Sequence, residues 1–153
     1  MNTEFYLKSI HARWSLGLIR SNDLPNIAAD ALSNGFESKS LVELAALSQT
    51  ETDEAPKLFE CAMNELGQEV MSKADALKIF ARVTSASILA SELTPLEGAK
   101  RIWRATVDAG VKGFHDLDPF IYAASEMEDR PEDRPFFERA ILEEAKRWGI
   151  QRA

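Results

Sequence analysis

The sequence predicts an all-α protein: a compact irregular bundle of about eight helices around a central buried helix at residues 73–90. Three observations carry this expectation. Helix-capping signatures recur along the chain, no alternating apolar–polar run is long enough for a strand, and one segment is apolar around most of its circumference.

The clearest boundary is Thr94-Pro95-Leu96-Glu97. Threonine caps, proline suits the first helical position, and glutamate reaches back to close a capping box. The helix runs to about Ala109 and stops at Gly110, which is free to turn left-handed. Leu96, Ala99, Trp103, Thr106 and Val107 then share one face. The same logic places a first helix from Asn2 or Thr3 to near Arg20, and a second from Ser21-Asn22-Asp23 to Asn34-Gly35. Ser40-Leu41-Val42-Glu43 reads as a capping box opening a short helix through Leu47. Thr52 or Asp53 opens the next, with Pro56 in its first turn and Gly67 at its end. Ser72 opens the long central helix to about Ala90, Asp118-Pro119 repeats the cap-then-proline signal, and Pro131 and Pro135 suit the start of a last helix ending at Gly149. In that helix Phe137, Ile141, Ala145 and Trp148 form a packing stripe. No linker or repeat is visible, so residues 1–153 read as a single domain.

Charge and cysteine content narrow the classes of function. The net charge is −7, with 6 basic and 12 acidic side chains in residues 1–76 and 12 basic and 13 acidic in residues 77–153. Such a surface repels phosphates, which argues against nucleic acid and against anionic membranes. No apolar run of about 18 residues crosses a bilayer. The polar, acidic start Met1-Asn2-Thr3-Glu4 argues against a secretory signal, and the single Cys61 suits a reducing cytosol, so a cytoplasmic location is expected.

Each residue type capable of chemistry has a structural explanation. His11 falls between Leu7, Trp14 and Leu18 on an apolar stripe and reads as a core or rim histidine with satisfied nitrogens. His115-Asp116-Leu117-Asp118 matches no metal spacing, and Asp118 is expected to cap the helix that Pro119 opens. Lys100, Arg101 and Arg104 are offset by Glu97 and Asp108 at i, i+4 spacing. Cys61 is flanked by Glu60 and Glu65, the wrong charge to activate a thiolate, and reads as a small buried or half-buried residue. Neither a catalytic group, a cofactor nor a metal is expected.

The densest acidic run is Glu126, Glu128, Asp129, Glu132 and Asp133, interleaved with Arg130 and Arg134. These five carboxylates are the candidate partner-binding residues. They suit a non-enzymatic interaction module, immunity-like or regulatory, that presents an acidic face to a basic protein. Two other readings stay open: a helical pocket for a small molecule lined by Trp14, Trp103, Trp148 or Tyr122, and an enzyme whose carboxylates converge from separate helices.

Several segments also carry a resemblance: Leu41 to Leu47, Leu58 to Gly67, Leu93 to Trp103, and Asp118-Pro119-Phe120 through Glu126-Met127-Glu128-Asp129. From about residue 24 onward the chain resembles small acidic helical proteins of bacteria. The resemblance implies a bacterial cytosolic setting and no particular activity.

Overall fold

Capping chemistry sets the elements of the computed structural model, which describes residues 3–150. Among these residues there is no strand. The helices are α1 (Thr3–Ser15), α2 (Leu24–Ser33), α3 (Lys39–Ala45), α4 (Ala55–Glu65), α5 (Lys73–Leu89), α6 (Pro95–Ala109), α7 (Asp118–Asp129) and α8 (Arg134–Ile150). Short 3-10 turns at Ser21–Asp23 and Pro131–Asp133 lead into α2 and α8. The all-α expectation holds, and so does the order of eight helices. The alternative start at Asn2 lies outside the described residues. No described helix is long and apolar enough to cross a membrane.

The chain divides into two compact units, residues 1–71 and 72–153. No linker-like stretch marks the division between Met71 and Ser72.

The first unit holds α1 to α4. Its core joins Leu7 and Ile10 of α1, Leu24, Ala28 and Ala31 of α2, Leu41 and Leu44 of α3, and Phe59, Ala62 and Met63 of α4. The expected end of α1 near Arg20 is corrected. The helix stops at Ser15 because Gly17 takes φ +73°, while the amides of Gly17 and Leu18 donate to Trp14 O and Arg13 O. That pair of bonds is a Schellman stop, which glycine adopts without a Cβ penalty. The start of α3 is corrected too. Ser38, not Ser40, is its N-cap, accepting from the Leu41 amide. Ser40 is buried inside the helix, where its amide and hydroxyl both donate to the Glu65 carboxylate of α4. A partner 25 residues away outweighs the local signal.

The second unit holds α5 to α8. Each helix packs on its chain neighbour, and α5 closes the set against α8. The caps of α5 and α6 are as the sequence predicts. Ser72 accepts from Asp75 N, Thr94 and Glu97 form a reciprocal capping box, and Gly110 ends α6 at φ +60°. Two packing expectations are corrected. The buried residues of α5 are Ala76, Leu77, Ala81, Thr84, Ser85 and Ile88, whereas Ile79, Phe80 and Val83 are half-buried and Leu89 is exposed. The helix is thus closely approached on one broad face rather than enclosed, and its larger side chains Ile79, Phe80 and Val83 lie half-buried on the flanks of that face. In α6 the inward residues are Gly98, Ala99, Ile102 and Ala105, with Trp103 half-buried and Val107 exposed. The face is turned because Gly98 is the contact point with α5. A Cβ built there runs into the Cγ1 and Cδ1 atoms of Ile88. The stripe of α8 is as expected: Phe137, Ile141, Ala145 and Trp148 are all buried. Glu144 joins it, its carboxylate accepting from Trp148 Nε1 at 3.2 Å and from Arg147 at 2.8 Å.

The α5–α6 contact has a measurable consequence. Gly98→Ala gains about 1 kcal/mol of helix propensity but overpacks Ile88, at a cost of roughly 1–3 kcal/mol. Urea unfolding is expected to show net destabilisation, partly relieved by Ile88→Val in the same chain. A stabilised Gly98→Ala variant contradicts the close approach.

Candidate functional site

The candidate carboxylates lie where α7 turns into α8. The buried stripe of α7 is Phe120, Ala123, Ala124 and Met127, at helical spacing. Tyr122, Glu126 and Asp129 stand on another face at i, i+4 and i+7. Arg130 leaves the helix at φ −132°, ψ 72°, and Pro131 opens the 3-10 turn that leads into α8. The Arg130 guanidinium holds this corner. It donates to Glu126 at 2.8 Å, lies 3.9 Å from Asp133, and sits 5.2 Å over the ring of Phe137. Hydrogen bonding and attraction from Glu126 raise the Arg130 pKa above its ordinary value.

The five predicted residues are therefore not equivalent. Glu126 and Asp133 face Arg130, and Glu128 pairs with Lys100 of α6 at 3.1 Å. Among the described residues Asp129 and Glu132 have no ion-pair or side-chain hydrogen-bond partner, and both are exposed. The sequence reading missed the aromatic part of the corner. Tyr122 is 59% exposed and Phe136 is 62% exposed. Both stand edge-on to Phe137, with centroids at 6.3 and 5.1 Å. The sequence signal for this was present: Phe137 belongs to the buried stripe, so its neighbour Phe136 points about 100° away from the core.

The charge surplus is located elsewhere. Residues 1–71 carry 5 basic and 11 acidic side chains, and residues 72–153 carry 13 and 14. The corner thus belongs to the nearly balanced unit, and its negative character is local.

Other candidates resolve individually. His115 Nδ1 lies 3.1 Å from the Asp118 carboxylate, and Asp116 lies 3.7 Å from Lys78. Asp118 is the first residue of α7, after Leu117, and does not cap it. No group of three or more His, Cys, Asp or Glu side chains is placed to hold a metal among the described residues. Arg104 pairs with Asp108 at 3.8 Å, whereas the Glu97 carboxylate accepts from the Thr94 amide and the Glu97 amide donates to Thr94 Oγ1, with no salt bridge to Arg101 among the described residues. Hydrogen bonding from Thr94 holds the Glu97 carboxyl below its usual range, as bonds from Ser40 do for Glu65. Both shifts favour the ionised form, opposite to what a general acid needs. Cys61 is exposed, contrary to expectation. Of the aromatics considered as pocket linings, Trp14 packs on Phe59 and donates to Glu60 at 2.8 Å, and Trp148 is buried on Glu144. Trp103 lines an open groove with Lys100, Val107 and Glu128.

His11 is buried, 3% exposed, with its ring 6.2 Å from that of Phe59. The expectation of satisfied nitrogens is corrected, because Nδ1 is buried with no hydrogen-bond partner. Burial lowers the His11 pKa below 6.5, and attraction to Glu60 only partly opposes this.

Comparison with known proteins finds no family model, no curated protein and no solved structure that matches the chain.

The lowered His11 pKa fixes a direction of pH dependence. The folded state favours the neutral ring, and unfolding lets it take up a proton, so stability rises with pH in this window. The contribution is complete above about pH 6.5 and is lost as pH falls through the lower folded value. Hydrogen exchange of residues 3–71 between pH 5 and 7 is expected to show a steeper loss of protection in the native chain than in His11→Gln. Equal slopes contradict a buried neutral histidine.

Proposed function

We propose that this protein is a non-enzymatic interaction module, immunity-like or regulatory, that binds a basic protein through the corner between α7 and α8. One observation carries the reading: two solvent-exposed aromatic rings, Tyr122 and Phe136, flank two carboxylates without partners, Asp129 and Glu132, on a corner fastened by Arg130. Interface hot spots are enriched in aromatic and arginine side chains, and an exposed aromatic ring still has most of its area to bury. The two carboxylates supply charge complementary to lysines and arginines of the partner, which speeds encounter and fixes register. Glu126, Glu128 and Asp133 contribute less, since Arg130 and Lys100 already offset them. A corner held in place before binding has less ordering to do on association. Binding acts by occlusion of the partner's surface and requires no reacting group. The bacterial cytosol suggested by the resemblance suits such a role.

Two measurements test this. A photo-crosslinking phenylalanine analogue at position 136 is expected to capture a basic protein from the cytosol, and the same analogue at exposed Gln49 is not. Equal yield at both positions contradicts the assignment. With the captured partner, Asp129→Lys with Glu132→Lys is expected to slow association roughly three- to tenfold at low salt, with the difference fading at high salt. Glu128→Lys alone has a smaller effect. Unchanged association of the double variant removes the two carboxylates from the interface.

A further inference from the structure

The second unit carries an open groove that the aromatic corner does not use. It runs along the outer side of α6, has a volume of about 420 Å³, and is lined by Lys100, Trp103, Arg104, Val107, Asp108 and Glu128. The order of residues in α6 forms it. Gly98, Ala99, Ile102 and Ala105 turn inward, so Lys100, Trp103, Arg104, Val107 and Asp108 fall together on the opposite side at i, i+3 and i+4 spacing. Trp103 is left half-buried and Val107 65% exposed, although both are apolar enough for a core. An uncovered apolar strip rimmed by charge marks an interaction surface.

Charge indicates what covers the strip. The rim holds two bases and two acids, with Arg104 3.8 Å from Asp108 and Lys100 3.1 Å from Glu128, and each of these side chains is at least 48% exposed. A partner of one sign is attracted by half of this rim and repelled by the other half. A self-complementary partner is not. The unit as a whole carries 13 basic and 14 acidic side chains, so two copies approach it without the repulsion that 5 basic and 11 acidic impose on residues 1–71.

We infer that the outer face of α6 is a homodimer contact, covered by α6 of a second copy of this chain. A two-fold axis level with Ala105 sets the two helices antiparallel and exchanges positions equally far from it. Trp103 then meets the second copy's Val107, and Val107 meets the second copy's Trp103. Asp108 falls between the second copy's Arg104 and Lys100, about 3 Å along the helix from the level of each at 1.5 Å rise per residue. Every contact occurs twice, as an isologous interface requires. A parallel pairing instead sets Arg104 on Arg104 and Asp108 on Asp108, which like-charge repulsion disfavours. A foreign helix fits only if it repeats this order of charges, whereas a second copy does so by construction. Tyr122 and Phe136 do not line the groove, so the inference stands apart from the proposed corner.

Sedimentation velocity of the full chain between about 10 μM and 1 mM tests it. The chain is expected to pass from monomer to dimer in this range, with the midpoint rising as salt is raised to about 0.3 M. Arg104→Glu and Asp108→Lys change exposed side chains, and each is expected to weaken the dimer about tenfold by setting like charges across the axis. A mixture of the two variants is expected to form a mixed dimer tighter than either alone, since position 104 of each copy then faces the opposite charge at position 108 of the other. Arg139→Glu, an exposed residue of α8 outside the groove, leaves the dimer unchanged. A photo-crosslinking phenylalanine analogue at position 107 is expected to join two copies in the native cell. A chain that stays monomeric throughout overturns the inference. So does a dimer that neither reversal weakens, a mixture no tighter than its parts, or a crosslink from position 107 to a different protein in place of a second copy.

Discussion

Arg130 is the constraint on which the functional reading depends. It is the last residue before a proline, in a conformation no helix continues, yet its guanidinium ties back to Glu126, forward to Asp133 and down onto Phe137. Phe137 is buried in the α8 stripe beneath that guanidinium, so Phe136 turns outward, because adjacent helical residues diverge by about 100°. Tyr122 stands outward on α7, edge-on to the same ring. One cation thus offsets two of five local carboxylates beside an exposed aromatic pair, so the surface left over is specific rather than merely acidic.

Local chemistry was legible in the sequence wherever it decided the structure alone. Thr94-Pro95-Leu96-Glu97 caps α6, Ser72 caps α5, and Gly35, Gly67 and Gly110 mark stops, because each rests on bonds within one turn. The sequence misled where a distant partner competed. Ser40 resembles a cap but donates to Glu65, and the inward face of α6 is set by Ile88 meeting Gly98 rather than by the most apolar side chains. The end of α1 was legible in principle, since Gly17 is a natural stop inside the assumed helix. The division of the chain between residues 71 and 72 coincides with a shift in charge balance but with no linker-like stretch, and without one the shift did not read as a boundary.

The candidate site was half legible. The run from Glu126 to Asp133 locates the corner, and the i, i+4 spacing of Glu126 and Arg130 announces their pairing. The neutralisation of Glu128 by Lys100 joins residues 28 positions apart and has no local signature. Charge counting by halves already placed the surplus in the first part of the chain, away from the corner, which was picked out by local density alone. In that first part, His11 read as an ordinary core histidine. Its unpartnered ring emerges only when α4 and the turn at Gly67 are folded beside it.

The most direct measurement of the central claim is hydrogen exchange of the full chain, alone and in complex with the basic protein it captures. The account expects new protection concentrated in residues 118–137, strongest around Tyr122 and across the turn from Arg130 to Phe136. Protection confined to residues 3–71, with the α7–α8 corner exchanging as in the free chain, contradicts it.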